Sequence, residues 1–318
     1  MADRDELIPP VAAVRELAFE GEAAVGTPVG IPPRTTSQWL ARTVVYGLMI
    51  GLALLYLIPF VYSAATSLKT QSEAAAGFDL WPDNPSLAAY REIWSSENLS
   101  FVTFFKNSLL LATTITAINV FLGTLGGYAF ARLRFPFREA LFLVVLGTLM
   151  IPDQLRLVPV YLMMIDFPVT GWNLTQSLQG YVFFGTSIAL ATNLFLMRQY
   201  FLTIPKDYEE AAKLDGAGHF KTYWRVMLPL AAPAVAAIAI LTFQGVWNEF
   251  FWANLLLGQG SASEWTVQIG VAQFRFTYQT LWPQLMAAAT IAIVPVLVVY
   301  VFFQRYFVAG VAAAGVKG

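Results

Sequence analysis

The chain has 318 residues, of which 57% are hydrophobic and 12% are charged, and its mean hydropathy is +0.60. Soluble domains carry about 25% charged residues, so this composition indicates an integral membrane protein. The net charge of −1 without a basic tract disfavours nucleic acid as a partner, and the lack of cysteine excludes disulfides, thiolate metal sites and cysteine nucleophiles.

Residues 1–38 are polar, and acidic side chains outnumber basic ones there. Prolines such as Pro9, Pro28 and Pro32 interrupt any long helix in this stretch. We expect a disordered acidic cytoplasmic tail at 1–38, followed by one domain at 39–318. A cleaved signal peptide is not expected, because the first apolar run begins only near Thr43.

Apolar segments follow the tail, each near the roughly 20 residues that a bilayer-spanning helix needs. The predicted fold class is therefore all-α, a polytopic membrane protein with six transmembrane helices. The third segment contains Pro152 and Pro159 with polar residues between them, so its helix should end near Ile151. The six segments are Thr43–Ala65, Ser108–Ala131, Ala140–Met163, Tyr181–Leu202, Leu230–Leu256 and Leu285–Phe307.

The distribution of Lys and Arg between the loops predicts the orientation of these segments by the positive-inside rule. With the tail in the cytoplasm, most of them fall on the cytoplasmic side, and an even number of spans returns the C-terminus there. The opposite side keeps Lys69, Arg91, Lys106, Arg156 and Arg275. The largest loop on that side, about Ser67 to Lys106, is rich in aromatic residues and proline. It is interpreted as an interfacial cap, with a platform for an extracytoplasmic partner as the alternative.

A charge-rich stretch, 203–229, lies between the fourth and fifth segments, and we call it the bracket. Asp207 is expected to cap a helix while Glu210 reaches back to the capping residue's amide. Gly216 should end that helix, and a second short helix is expected from Phe220 to Met227. The local pattern alone also fits an amphipathic helix resting on lipid headgroups.

The bracket resembles the cytoplasmic EAA loop of binding-protein-dependent ABC importer permeases. Val226 stands where that family usually has Ile. The likeness continues through nearly everything after Leu40, including Gly127 to Arg138 and the C-terminus from Arg305, and the subgroup it resembles is the maltose-type second permease of carbohydrate importers. The residues that carry the EAA spacing are Glu210, Ala211, Ala212, Gly216, Val226, Leu228 and Pro229.

This resemblance implies a permease subunit that moves a sugar or oligosaccharide by alternating access, and not an enzyme. The implied partners are a second homologous permease subunit, two ATPase subunits, an extracytoplasmic sugar-binding protein and membrane lipid. No cofactor is expected on this chain, because ATP and Mg would bind the ATPases. The implied location is the bacterial or archaeal cytoplasmic (inner) membrane with both termini in the cytoplasm. The implied ATPase-coupling residues are Glu209, Glu210, Ala211, Ala212, Asp215, Gly216, Leu228 and Pro229.

Polar side chains inside the apolar segments are the candidates for solute contact, because they are costly in hydrocarbon and should face protein or water. Glu249 is the only acidic residue well inside an apolar segment. Aromatic faces can stack on sugar rings while amides and carboxylates bond hydroxyls. That these groups cross-link helices or face the second permease stays an open alternative. The candidates are Asn119, Asn193, Gln244, Trp247, Asn248 and Glu249.

Other function classes fit the sequence less well. His219 is the only histidine, and no P-loop sequence occurs, so any ATP dependence must come from another polypeptide. The alternatives are the same permease role for a different small solute, a gradient-driven secondary transporter using Glu249, and a membrane receptor or scaffold.

Overall fold

The computed structural model describes residues 36–95, 100–275 and 280–315. Most of the predicted tail, 1–35, lies outside the described residues. The chain divides into two compact units, 1–58 and 59–318. In the first, the described residues form the N-terminal part of one helix, and the second contains all the packing described below.

The described part of the chain is helical, and its only β pairing is an isolated bridge between Arg275 and Thr280. Short 3₁₀ turns cover Asp153–Arg156 and Ala262–Glu264, and a π-helical turn covers Tyr223–Met227. The α-helices in chain order are α1 Thr36–Thr66, α2 Gln71–Ala76, α3 Ala88–Ser95, α4 Phe101–Arg132, α5 Arg138–Leu149, α6 Leu157–Ile165, α7 Leu178–Thr203, α8 Asp207–Leu214, α9 His219–Thr222, α10 Leu228–Leu230, α11 Ala232–Asn248, α12 Phe251–Leu257, α13 Val267–Gln273 and α14 Trp282–Gly315.

Four helices in the described residues are long and apolar enough to cross a membrane, at Arg42–Thr66, Phe101–Arg132, Leu178–Thr203 and Trp282–Gln304. A fifth candidate is the helix pair that ends at Asn248, whose two halves are bent by 79°. These helices agree with four of the predicted segments, and the full count of six remains a prediction.

The third predicted segment is not one helix. α5 ends at Leu149, within two residues of the expected end near Ile151, and a 3₁₀ turn separates it from α6. Pro152 lacks an amide hydrogen and stands where the helix would have to continue. With 12 and 9 residues, α5 and α6 are each shorter than a bilayer-spanning helix.

The fifth predicted segment, Leu230–Leu256, is also interrupted. α11 ends at Asn248, Glu249 is extended with φ −70° and ψ 113°, and α12 starts at Phe251. The side chain of Glu249 accepts a hydrogen bond of 2.9 Å from the amide of Trp252. This carboxylate satisfies one of the free amides at the start of α12, which favours the break at this residue.

α4 is the central helix of the second unit, and it packs against α7 and α11. Glycines allow the close approach to α7, because a Cβ atom added to Gly127 would lie 2.6 Å from the Cβ of Met197 and 2.9 Å from the backbone nitrogen of Arg198. At Gly123 an added Cβ would lie 2.9 Å from the Cβ of Asn193. Small residues spaced four apart thus allow the backbones of α4 and α7 to pack closely.

Replacing Gly127 with alanine should destabilise the protein, since the added methyl would meet backbone atoms of α7 that cannot move independently. We expect a cost of about 1–3 kcal/mol, as for other overpacked interiors. Thermal unfolding in detergent measures it. Gly147→Ala is the matched control, because nothing lies within 4 Å of a Cβ at Gly147, and an equal fall in Tm for both variants would contradict the prediction.

Candidate functional site

The bracket starts with α8, whose first residue is Asp207. The predicted capping by Asp207 and Glu210 is wrong. Lys206 precedes the helix with helical torsion angles, φ −68° and ψ −24°, and no side chain caps it. Its carbonyl already accepts the amides of Glu209 at 2.9 Å and Glu210 at 3.1 Å. Asp207 therefore lies inside the first turn, where its charge still favours the helix dipole.

The end of α8 confirms the role expected for Gly216, which has φ +73°. The amide of Ala217 donates to the carbonyl of Ala212 at 2.9 Å, and the amide of Gly216 donates to that of Lys213 at 3.0 Å. These two bonds form a Schellman motif, which needs a left-handed residue at the position of Gly216. The chain direction after α8 is thus set by local backbone hydrogen bonds.

The second half of the bracket is helical where expected, but not as one regular α-helix. α9 is followed by the π-helical turn Tyr223–Met227, which leads into α10 with Pro229. Both ends of the π turn are buried, with Tyr223 1% and Met227 0% exposed. The hydroxyl of Tyr223 lies 2.8 Å from that of Thr124 on α4. The bracket is therefore anchored to α4 through its second half.

The outward face of the bracket combines charge with large exposed apolar side chains. Glu210 is exposed, and so are Tyr208 (49%), Leu214 (89%) and Phe220 (66%). These three apolar residues were missed in the sequence analysis, although large apolar residues in a charge-rich stretch are a signal for a contact surface. Beside them lies a concave site of about 370 Å³ lined by Tyr208, Ala211, Ala212, Asp215, Ala217, Lys221, Arg225 and Val226.

Glu209 does not belong to this outward face. It is 8% exposed and lies against Arg132, with 3.1 Å between its Oε1 and the arginine Nε. Successive residues of a helix face different directions, so Glu209 points inward and Glu210 outward. The coupling role of Glu209 stays a prediction, and its position excludes it only from the exposed face of α8. Among the other predicted coupling residues, Ala211, Asp215, Gly216 and Pro229 are exposed, Leu228 is partly exposed and Ala212 is buried.

Two of the predicted solute-contact residues line one cavity. Asn193 on α7 and Glu249 after α11 share a space of about 290 Å³ with Tyr181, Thr242 and Trp252. The amide of Asn193 donates to the hydroxyl of Thr242 at 2.8 Å, so this polar pair also joins α7 to α11. Tyr181 and Thr242 were not identified from sequence. Tyr181 has the helical spacing to Ile188 and Thr192 on the same cavity wall.

The remaining candidates lie elsewhere. Trp247 is 1% exposed, stacks on Phe243 at 5.9 Å and donates its indole N–H to the carbonyl of Ala292 at 2.9 Å. Its ring therefore belongs to the core and does not line the cavity. Asn119 is fully buried and donates to the carbonyl of Ile115 in its own helix. Gln244 and Asn248 are exposed on α11 outside this cavity.

The loop before α4 is held by polar contacts within itself and by one contact to a distant part of the second unit. The Nζ of the buried Lys69 donates to the carbonyl of Asp79, and the hydroxyls of Ser67 and Tyr90 lie 2.8 Å apart. Gln71 donates to the carbonyl of Thr280 at 2.8 Å. The structure thus gives this loop an ordered core, as both the cap and the platform interpretations require.

Comparison with known proteins identifies similar chains of nearly equal length. Residues 102–313 match the family described as binding-protein-dependent transport system inner membrane component. The chain is 31% identical over 288 residues to the inner membrane ABC transporter permease protein YcjP of Escherichia coli, which covers 89% of this chain and 99% of that protein. It is 32% identical to the arabinooligosaccharides transport system permease protein AraQ of Bacillus subtilis, covering 84% and 92%. The identity is also 32% to the trehalose/maltose transport system permease protein MalG of Thermococcus litoralis, covering 85% and 96%.

Solved structures share the fold. A bacterial ABC transporter involved in the import of the acidic polysaccharide alginate has a chain that superposes with a TM-score of 0.73 at 24% identity, covering 87% of this chain and 99% of that one. A bacterial alginate ABC transporter in complex with an alginate pentasaccharide-bound periplasmic protein gives a TM-score of 0.61 at 15% identity, covering 86% and 96%.

The bond between Asn193 and Thr242 should contribute measurably to stability. In a double-mutant cycle of Asn193→Ala and Thr242→Ala, we expect a coupling of about 0.6 kcal/mol, the usual value for such bonds between membrane helices. Unfolding of the purified chain in detergent measures it. Ser187→Ala is the control for the first position, because that hydroxyl bonds only the Phe183 carbonyl of its own helix. A coupling energy of zero between Asn193 and Thr242 would contradict the prediction.

Proposed function

The chain belongs to the family of binding-protein-dependent transport system inner membrane components, and from this we propose that it is the permease subunit of an ATP-driven importer for a sugar or oligosaccharide. It is a transport protein of the membrane and not an enzyme. Hydrolysis of ATP belongs to a separate subunit, and we propose that this chain holds neither ATP nor Mg.

The proposed solute class is supported by what the relatives transport. Permeases for arabinooligosaccharides and for trehalose and maltose each match more than four fifths of this chain. The cavity with Asn193 and Glu249 offers an amide, a carboxylate and the aromatic ring of Trp252. These are the groups that bond hydroxyls and stack on sugar rings, which makes this cavity our candidate for part of the solute pathway.

The bracket is the proposed coupling element, and its outward face is the observation that carries the proposal. Leu214 and Phe220 expose large apolar surfaces beside Glu210 on a segment rich in charge. Exposed apolar groups rimmed by charge are typical of protein interfaces and are unfavourable in water. A separate ATPase subunit on the cytoplasmic side would cover them.

We further propose six spans with both termini in the cytoplasm. In this arrangement α5 and α6, with the 3₁₀ turn between them, complete one span, and α11, which follows the bracket, provides another. The polar break between α5 and α6 would face protein or water, since unsatisfied backbone groups do not face lipid. The excess of Lys and Arg on the bracket side supports this orientation.

A second homologous permease subunit, two ATPase subunits and an extracytoplasmic sugar-binding protein complete the proposed assembly. Binding of ATP would close the ATPases and carry the bracket with them, so that the spans open outward to accept solute. Release of hydrolysis products would restore the inward-facing state. A nucleotide shifts such an equilibrium only by its differential affinity for the two states, so the bracket must contact the ATPases differently in each.

Charge reversal at Glu210 and Leu214→Asp should each abolish ATP-dependent solute uptake and stimulation of the ATPase, because both residues lie on the proposed contact surface. Burying an unpaired charge in such an interface costs several kcal/mol, and we expect a loss of about 100-fold or more. The measurement is uptake of labelled oligosaccharides into vesicles that contain all subunits of the transporter.

Val169→Asp is the matched control for Leu214→Asp. Val169 is equally exposed at 85%, but lies in the loop before α7, at the opposite end of that helix from the bracket. Uptake that persists in Glu210→Lys, or that proceeds without any ATPase, would refute the coupling role and favour a gradient-driven carrier.

A further inference from the structure

Arg132 is the last residue of α4, and its side chain is almost entirely buried. Its guanidinium lies 3.1 Å from the carboxylate of Glu209, and the two side chains are 5% and 10% exposed. A cation at a helix C-terminus is favoured by the helix dipole, but that effect does not require burial. The burial calls for a separate explanation, because taking two charges out of water is costly.

The same guanidinium binds the end of a third element. Nη2 of Arg132 donates hydrogen bonds to the carbonyls of Phe201 and Ile204, at the C-terminus of α7. The carbonyls at the end of a helix lack the regular amide partner four residues on, so this donor fills acceptor sites that would otherwise be left to water. One planar group thus joins the ends of α4 and α7 to the first helix of the bracket, a geometry for which arginine is suited and lysine is not.

An aromatic cluster next to this contact joins α4, α7 and the bracket. Tyr128, one turn before Arg132 on α4, packs edge-on against Phe201 of α7 with ring centroids 5.8 Å apart. It also lies 5.3 Å from Tyr223 in the second half of the bracket. Both halves of the bracket are therefore held against α4, the first by charge and the second by aromatic packing.

A neighbouring ion pair provides the contrast. Glu139 contacts Arg138 at 2.7 Å and Arg198 at 3.1 Å, but its side chain is 58% exposed. Exposed pairs of this kind contribute little, because water solvates both charges when they separate. Separation of Arg132 from Glu209 would instead leave two charges in the protein interior, so this pair resists any movement of α8 away from α4 and α7.

We propose that Arg132 and Glu209 form a buried latch that makes the bracket move as one body with the cytoplasmic ends of α4 and α7. The inference rests on the proposed function and deepens it: Glu210 faces the ATPase, and Glu209 transmits the displacement into the spans. Arg132 and Glu209 are positioning residues that contact neither nucleotide nor solute. Without the latch, ATPase closure would move α8 alone, and hydrolysis would proceed with little transport.

The test compares Glu209→Gln with Glu139→Gln in the complete transporter. Both substitutions remove one negative charge from an ion pair at this end of the molecule, one buried and one exposed. We expect Glu209→Gln to assemble with its partners and to hydrolyse ATP, but to lose about ten-fold in solute taken up per ATP, a typical coupling effect. Glu139→Gln should match the native ratio.

A second measurement reports the mobility of α8 itself. The chain has no cysteine, so a single Lys213→Cys substitution on the exposed side of α8 accepts one spin label. In the isolated chain in lipid nanodiscs, Glu209→Gln should increase the mobility of this label, and Glu139→Gln should not. If Glu209→Gln does not assemble, Arg132→Lys provides the same readouts, because it keeps the charge but loses the planar fork.

Unchanged uptake per ATP with an unchanged label spectrum would overturn the latch. A parallel fall of uptake and hydrolysis in both Glu209→Gln and Arg132→Lys, with normal uptake per ATP in the complexes that remain, would also overturn it, since that result indicates a role in stability alone. If the native complex shows no ATP-driven uptake, the proposed function fails, and the label experiment on the isolated chain then decides the latch by itself.

Discussion

The close contact between α4 and α7 is the constraint on which the rest of the structure depends. Gly123 and Gly127 let the two backbones approach until an added methyl would collide with the facing helix. In lipid this packing has to come from shape, because apolar side chains gain nothing by leaving hydrocarbon for a protein interior. The two helices then end side by side, which brings the carbonyls of Phe201 and Ile204 within reach of Arg132. The position of the bracket follows from that shared end.

Features set by local backbone chemistry were predictable from the sequence. The stop at Gly216 needed only a residue that tolerates φ +73° after an amphipathic turn. The end of α5 near Pro152 followed from a missing amide hydrogen. The capping expected of Asp207 failed because Lys206 adopts helical torsion angles, which shifts the helix start by one residue. Such a shift lies below what sequence patterns resolve.

Features set by distant contacts were not predictable. Glu209 and Glu210 are adjacent and chemically identical, and only the position of Arg132, far away in the chain, decides which one is buried. Trp247 looked like a sugar-stacking residue because it lies beside Asn248 and Glu249. Its rotation about α11 turns it toward Phe243 and the carbonyl of Ala292 instead. The side-chain type shows that a residue is able to bind sugar, whereas helix packing determines whether the side chain lines a cavity.

The two glutamates also explain how a short helix would serve as the mechanical link that we propose. A coupling element has to be accessible to its partner and rigid relative to the spans that it moves, and these demands conflict in a surface loop. α8 meets both demands within one turn, since Glu210 is exposed and Glu209 is buried against Arg132 of α4. The π-helical turn that follows buries Tyr223 and Met227 and holds the other end. A force applied to the outward face of α8 would therefore reach α4 and α7 through polar contacts that resist separation, with little lost in bending of the loop.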